Sequence, residues 1–246
     1  MKLYTLGTSH GGTETGRSCS GNLLQCGEDF YLFDCGGDVE RKMKDMGLPI
    51  GRIKAVFISH MHGDHVTNLP AVIKCFHSGY TKMDTTLRIF MPDKDGLDAL
   101  KGWCKVMCMD PDSPKCVMSA FTEGLIYEDE NVKVHSVRTE HLLGGKLPSF
   151  AFRLEFSDGK SFLYTGDLNC DFHDYPQVVF ERDFDMILSE LVHFNIEKNL
   201  DTIIKSRTKK LVFTHLAPRN IPVIESVRDR FPFEVLIAND KDCFEF

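Results

Sequence analysis

Three observations predict an α/β chain. Apolar runs of strand length recur along the sequence, segments with apolar residues at helical spacing lie between them, and turn residues punctuate both kinds of segment. Length bounds the organisation: 246 residues suffice for one large domain with a full core, and nothing marks a linker, a repeat or a low-complexity stretch. The expectation is a single domain, residues 1–246, with two β-rich lobes of about 1–125 and 126–246.

Residues 2–6 read as the first strand. The Gly-, Ser- and Thr-rich loop Gly7-Thr8-Ser9-His10-Gly11-Gly12-Thr13, running on to Arg17, can bring backbone close to a ligand because glycine has no Cβ to hold it off. It lacks the lysine and glycine spacing of a phosphate-cradling loop, so a wide turn and a substrate-facing loop stand as equal alternatives. Residues 21–24 and 30–34 read as two strands around Gly27-Glu28-Asp29. Asp38 is placed to cap a helix with Val39, Met43 and Met46 on one face and Gly47 past its end. Lys54-Ala55-Val56-Phe57-Ile58 is a buried strand. Leu69, Val72, Ile73 and Phe76 then repeat at helical spacing up to Gly79, with His77 at the surface near the helix end.

A strand at 86–91 and a helix marked by Leu97, Leu100, Cys104 and Met107 follow. Cys104 and Cys108 read as packing residues, since two thiols cannot close a structural zinc site. The strand 131–139 leads to a hairpin of 150–156 and 161–164, joined through Ser157-Asp158-Gly159-Lys160. His135, inside that first strand, has no expected chemistry. A buried strand at 186–188, a helix showing Ile196, Leu200, Ile203 and Ile204, a strand at 211–214, a helix near 223–227 and a strand at 233–237 complete the reading.

Hydrophobic and charged fractions of 42% and 26% are those of an ordinary globular protein. Nine cysteines without a C-x-x-C pair indicate neither a disulfide framework nor a thiolate zinc site, and reduced thiols point to a cytoplasmic location. No stretch has the make-up of a signal peptide or the length of a membrane span, so no membrane partner is expected. A net charge of −7 and a pI near 5.8 disfavour long nucleic acid as the partner.

The chemistry concentrates in Ser59-His60-Met61-His62-Gly63-Asp64-His65. Three imidazoles and a carboxylate fall within six positions, directly after a buried strand. Residues two apart in an extended loop share a side, so His60 and His62 can hold one metal ion while Asp64 and His65 face a second. Zinc accepts both nitrogen and carboxylate oxygen, and a four-coordinate catalytic site leaves one position for water. A solvated histidine-rich loop is the competing reading, and the density of the match argues against it.

His60-x-His62-x-Asp64-His65 resembles the signature of the metallo-β-lactamase superfamily. The resemblance implies a four-layer αββα sandwich with a dinuclear metal site, and it requires a third histidine, a bridging aspartate and a last histidine in that order. His141 after the strand 131–139, Asp167 in Tyr164-Thr165-Gly166-Asp167, and His215 in Phe213-Thr214-His215-Leu216-Ala217-Pro218-Arg219 match them. The implied ligands are His60, His62 and His141 for one ion, Asp64, His65 and His215 for the other, with Asp167 bridging. Asp34, in Asp34-Cys35-Gly36-Gly37, matches an aspartate that supports the metal loop through hydrogen bonds. The implied cofactors are two divalent metal ions, Zn2+ by default and Mn2+, Fe2+ or Ni2+ as alternatives. A hydroxide held between them would be the nucleophile.

Within the superfamily the sequence is similar to ribonuclease Z and its phosphodiesterase relatives. The likeness rests on Leu6-Gly7-Thr8 with the loop to Arg17, on Asn68-Leu69-Pro70, on Tyr164-Thr165-Gly166-Asp167, on Glu190 and on Thr214-His215-Leu216-Ala217-Pro218-Arg219. The tRNA-processing members carry a protruding arm between the third histidine and the bridging aspartate. Here His141 and Asp167 are 26 positions apart, which leaves room only for a hairpin. The resemblance and the acidic balance imply a dinuclear metal-dependent hydrolase acting as a phosphodiesterase on a small or cyclic phosphodiester, with homodimers common among related enzymes. The alternatives are a thioester, lactone or β-lactam hydrolase, a tRNA 3′-processing endonuclease, and a non-catalytic metal-binding module.

An alkoxide leaving group needs a proton that metal ligands cannot give. The ribonuclease Z-like enzymes use a glutamate and a histidine, and Glu190 and His193 match them three positions apart, with Glu190 orienting a His193 that opens a helix. The pattern departs at Ser189, where a histidine is usual, and at Phe194 and Asn195. Asp64, Glu190 and His193 are thus the candidate catalytic residues. The competing reading makes His193 a helix-start residue and Glu190 a solvated carboxylate.

Overall fold

The computed structural model describes residues 1–79 and 81–246. The chain divides into two compact units, residues 1–121 with 239–245 and residues 122–238 with 246. The short strand Asp242–Glu245, unseen in the sequence pattern, belongs to the first unit.

In the first unit the strands are β1 (Lys2–Gly7), β2 (Gly21–Cys26), β3 (Asp29–Phe33), β4 (Ile53–Phe57), β5 (Leu87–Met91) and β6 (Cys116–Ala120). They lie side by side in sequence order, and the strand Asp242–Glu245 adds to the outer edge of β1. The pairs up to β3 are antiparallel, β2 and β3 through a short turn; from β3 onward they are parallel, because helices or long connections carry the chain back between strands. Three of those connections contain the helices Val39–Asp45, Leu69–His77 and Lys94–Val106. Their apolar faces bury Val39, Met43, Leu69, Val72, Ile73, Phe76, Leu100 and Cys104 in one core with Leu32, Ile53 and Val56. Phe57 is fully buried and stacks on Phe33 and Phe90, both with centroids at 5.1 Å. Truncating such a ring to alanine costs about 3–5 kcal/mol.

Two expectations fail here. Asp38 takes the N-cap position of the first helix, with φ −54° and ψ 55°, but its side chain makes no cap hydrogen bond and accepts from Ser18 Oγ at 2.7 Å instead. Cys104 packs in the core as expected, but Cys108 is exposed, because the chain leaves the helix through a positive φ of 60° there.

The second unit holds β7 (Gly124–Glu128), β8 (Val132–Thr139), β9 (Ser149–Phe156), β10 (Ser161–Tyr164), β11 (Met186–Glu190), β12 (Lys210–Thr214) and β13 (Glu234–Ile237), again in sequence order across the sheet. The pairs through β10 are antiparallel and those from β10 to β13 parallel. The β9–β10 turn takes the expected form, with Gly159 at a φ of 87°. The helices Ile196–Ile203 and Asn220–Val227 bury Ile196, Leu200, Ile203, Ile224 and Val227 in the core of this unit. Among the described residues no helix is long and apolar enough to cross a membrane.

Candidate metal centre

In the first unit, parallel pairing puts the carboxyl ends of β3 and β4 on the same edge of the sheet, where loops are free to hold side chains for chemistry. Asp34 leaves β3 with its amide on Phe57 O at 3.0 Å and a φ of 60°, a conformation that aspartate tolerates better than most residues. Its fully buried carboxylate accepts from Ser59 N at 2.8 Å and Ser59 Oγ at 2.9 Å, and it faces His65 Nδ1 at 2.7 Å. A carboxylate only accepts, so His65 carries its proton on Nδ1 and presents a bare Nε2. Ser59 Oγ, its proton given to Asp34, accepts from His60 Nδ1 at 3.0 Å, which leaves His60 Nε2 bare as well. The His60 ring lies 4.7 Å from that of His62 and 4.2 Å from that of His65. Asp64 Oδ2 is 3.4 Å from His65 Nε2.

Close packing holds this loop in place. A Cβ on Gly36 would overlap the carbonyl of Asp64, Cys35 N donates to His65 O at 2.7 Å, and Thr67 Oγ1 donates to Gly36 O at 2.9 Å. The backbone of Asp34-Cys35-Gly36 is thus packed directly against the loop that carries His60, His62, Asp64 and His65.

In the second unit the side chains come from several strand ends. β8, β10, β11 and β12 all run the same way, so Asp167, Glu190, His215 and, two residues past β8, His141 gather at one edge of the sheet. His141 donates Nδ1–H to Leu168 O at 3.0 Å and turns Nε2 to within 3.7 Å of Asp167 Oδ2. His215, at a φ of 46°, brings Nε2 to 3.3 Å from the same oxygen. Asp167, His193 and His215 offer donor atoms all within 4.8 Å of one another. Metal bonds of about 2.0–2.1 Å at a tetrahedral angle give ligand separations of about 3.3–3.4 Å; Asp167 Oδ2 stands at that separation from His215 Nε2 and slightly beyond it from His141 Nε2.

Glu190 ends β11 fully buried. Oε1 accepts from Leu168 N at 2.9 Å and faces His193 Nδ1 at 3.0 Å; Oε2 accepts from Val192 N at 2.8 Å and His193 N at 3.0 Å. This carboxylate is therefore not solvated. His193 does not open the helix either: Asn195 caps it, accepting from Lys198 N, and the helix starts at Ile196, so His193 sits in the loop before it. Its Nδ1 is committed to Glu190, its side chain is 31% exposed, and its ring lies 4.5 Å from that of His141.

Sequence reasoning missed three contributors. Ser59 and the Leu168 carbonyl fix imidazole tautomers, and Ser59 at least adjoins the motif. The third has no motif: Asp174 accepts from Glu140 N at 2.7 Å and Asn169 N at 3.0 Å, tying the loop after Asp167 to the residue before His141. His173 reinforces that tie between Glu140 Oε2, at 2.9 Å, and Asp171. Glu140 and then Asp171 hold its imidazole well above the usual range, at about 9.

Known proteins agree with this architecture. Ribonuclease Z of Anoxybacillus flavithermus is 32% identical over 163 residues, 64% of this chain and 49% of that protein. Ribonuclease Z of Methanocaldococcus jannaschii is 29% identical over 154 residues, 62% of this chain and 46% of that protein. The chain spans about half the length of these curated relatives. Human tRNase Z, short form (ELAC1), matches with a TM-score of 0.78 at 20% identity, covering 100% of this chain and 99% of that one. The metallo-β-lactamase fold protein YhfI of Bacillus subtilis also gives 0.78, at 21% identity and the same coverage. A diphosphatase from the PhnP family gives 0.72 at 19% identity, covering 100% and 97%. These likenesses show the expected fold class, the metallo-β-lactamase fold. The family described as Anti-Pycsar protein Apyc1 matches residues 1–226. The chain therefore belongs to the Anti-Pycsar protein Apyc1 family, within the ribonuclease Z-like branch of the metallo-β-lactamase superfamily.

Proposed function

We propose that this chain is a dinuclear metal-dependent hydrolase acting as a phosphodiesterase on a small or cyclic phosphodiester. His60, His62 and His141 would hold one divalent ion and Asp64, His65 and His215 the other, with Asp167 shared. Zinc suits this nitrogen and carboxylate set, which manganese, iron and nickel also accept. Two such ions supply a nucleophile at neutral pH and offset charge on the attacked group.

The chain's own residues do the rest. Asp34 and Ser59 hold the bare nitrogens of His65 and His60 in place, and the Leu168 carbonyl does so for His141. Glu190 fixes His193 through Nδ1 and leaves Nε2 as the nitrogen able to give a proton to a departing alkoxide. The pairing of a fully buried Glu190 with a part-exposed His193 beside Asp167 is the observation that carries the phosphodiesterase reading. A thioester, whose thiolate departs unprotonated, has less need of a separate proton donor than an alkyl phosphodiester.

The short connection from His141 to Asp167 supports a small substrate. A single turn at Leu143–Gly145 and the β9–β10 hairpin take it up. The reading is tested with purified, metal-loaded protein against bis(p-nitrophenyl) phosphate, cyclic nucleotides, a precursor tRNA, a thioester and nitrocefin. Preferential turnover of the small phosphodiesters is expected. Efficient cleavage of the precursor at its 3′ end, or preference for the thioester or nitrocefin, would overturn it.

A further inference from the structure

One carboxylate outside the family match fastens both ends of the glycine-rich loop between β1 and β2. Asp240 lies beyond residue 226, where that match stops. Its Oδ1 accepts from Thr8 N at 2.9 Å and Thr8 Oγ1 at 2.7 Å, and its Oδ2 accepts from Ser18 N at 2.7 Å. The ammonium of Lys42 pairs with Oδ2 and also donates to Leu6 O at 2.6 Å and Ser18 Oγ at 2.5 Å. Both side chains are nearly sealed, 8% exposed for Lys42 and 7% for Asp240. The neighbouring Asn239 takes Arg17 Nη2 at 2.7 Å, while Arg17 Nη1 donates to Thr8 Oγ1 at 2.7 Å.

The middle of the same loop reaches the metal-loop carboxylate. A Cβ on Gly11 would stand 3.8 Å from Asp64 Oδ2, an ordinary contact, and the Gly11 φ lies outside the left-handed region. His10 and Glu14 pair at 2.9 Å just beyond it. Desolvating a lysine and an aspartate is costly, and a pair so well compensated by hydrogen bonds fixes geometry more than it adds stability. What this pair fixes is the position of residues 8–18 beside Asp64.

We propose that Asp240, with Lys42, is a positioning residue: it sets the loop 8–18 as the wall beside Asp64 that receives the substrate. The kinetic part of this inference rests on the phosphodiesterase reading; the structural part does not. Two variants separate them. Asp240→Asn removes the charge at nearly constant size and turns a donor toward Ser18 N or Lys42. Hydrogen exchange of amides 9–17 should rise about ten-fold, with the strands unchanged. KM for bis(p-nitrophenyl) phosphate should rise about five-fold with kcat and metal content held, and Asp240→Glu should recover part of it. Gly11→Ala leaves the clasp intact and puts a methyl group on the wall, so it should raise KM about three-fold without a change in thermal stability, and it serves even if Asp240→Asn fails to fold.

Wild-type exchange of the loop in Asp240→Asn, or wild-type KM in Gly11→Ala, overturns the inference. So does a loss of activity that follows a loss of metal. A wild type inactive on every phosphodiester, with the loop still loosened in Asp240→Asn, would instead reject the reaction assigned to the site and keep the clasp.

Discussion

Asp34 in the first unit and Glu190 in the second are built alike, yet the imidazoles they face are exposed to different degrees. Each is fully buried at the carboxyl end of a parallel strand, each accepts backbone N–H groups, and each faces the Nδ1 of one imidazole. The imidazoles differ. His65 is fully buried, so its remaining nitrogen serves only what is packed against it; His193 is 31% exposed and can exchange protons with solvent or substrate. On the proposed function, the same carboxylate–imidazole geometry would serve a fixed ligand in one place and a proton carrier in the other, with burial deciding which.

The comparison is broken most sharply at His193. His193→Ala should lose about 10²–10⁴-fold on phosphodiesters with alkoxide leaving groups. Aryl esters, whose leaving groups depart unprotonated, should lose far less, and metal content should stay at the wild-type level. Equal losses on both substrate types would remove His193 from the proton-donor role. The two carboxylates should then separate by readout. Asp34→Asn, which still tolerates the positive φ, should weaken metal affinity about 10–100-fold, measured by competition with a chelator. Glu190→Gln should keep the metal and lower kcat mainly on poor leaving groups, by about ten-fold. Metal loss in Glu190→Gln matching that in Asp34→Asn would mean that the two carboxylates act alike.

The smallest effect belongs to His173. Its pKa is raised from 6.5 to about 9, by Glu140 first and Asp171 second. A raised folded value means that the tie is fully favourable below about 6.5 and lost as pH climbs through about 9. NMR titration of its imidazole should show a midpoint near 9 that falls toward 6.5 in Glu140→Gln. A midpoint near 6.5 in the wild type would show that the tie does not hold in solution.

Legibility in the sequence followed locality. His60, His62, Asp64 and His65 are readable because one strand end and one loop carry all four, whereas His141, Asp167 and His215 come from separate strands and were placed by resemblance. The burial of Glu190 was illegible, since the amides of Leu168, Val192 and His193 converge on it only after β10 and β11 pair. β6 and β7 escaped notice because Val117 and Leu125 face solvent, 49% and 52% exposed, and blur the alternation that marks a half-buried strand. The strand Asp242–Glu245 has one aromatic residue in four, too weak a pattern to announce an edge strand or the return of Asp240 to the first unit.

Metal content tests the proposed dinuclear reading most directly. Elemental analysis of the wild type should find about two ions per chain. His62→Ala, which removes a donor of the first unit, and Asp167→Ala, which removes the shared carboxylate of the second, should each retain less. Full metal in both variants would contradict the account.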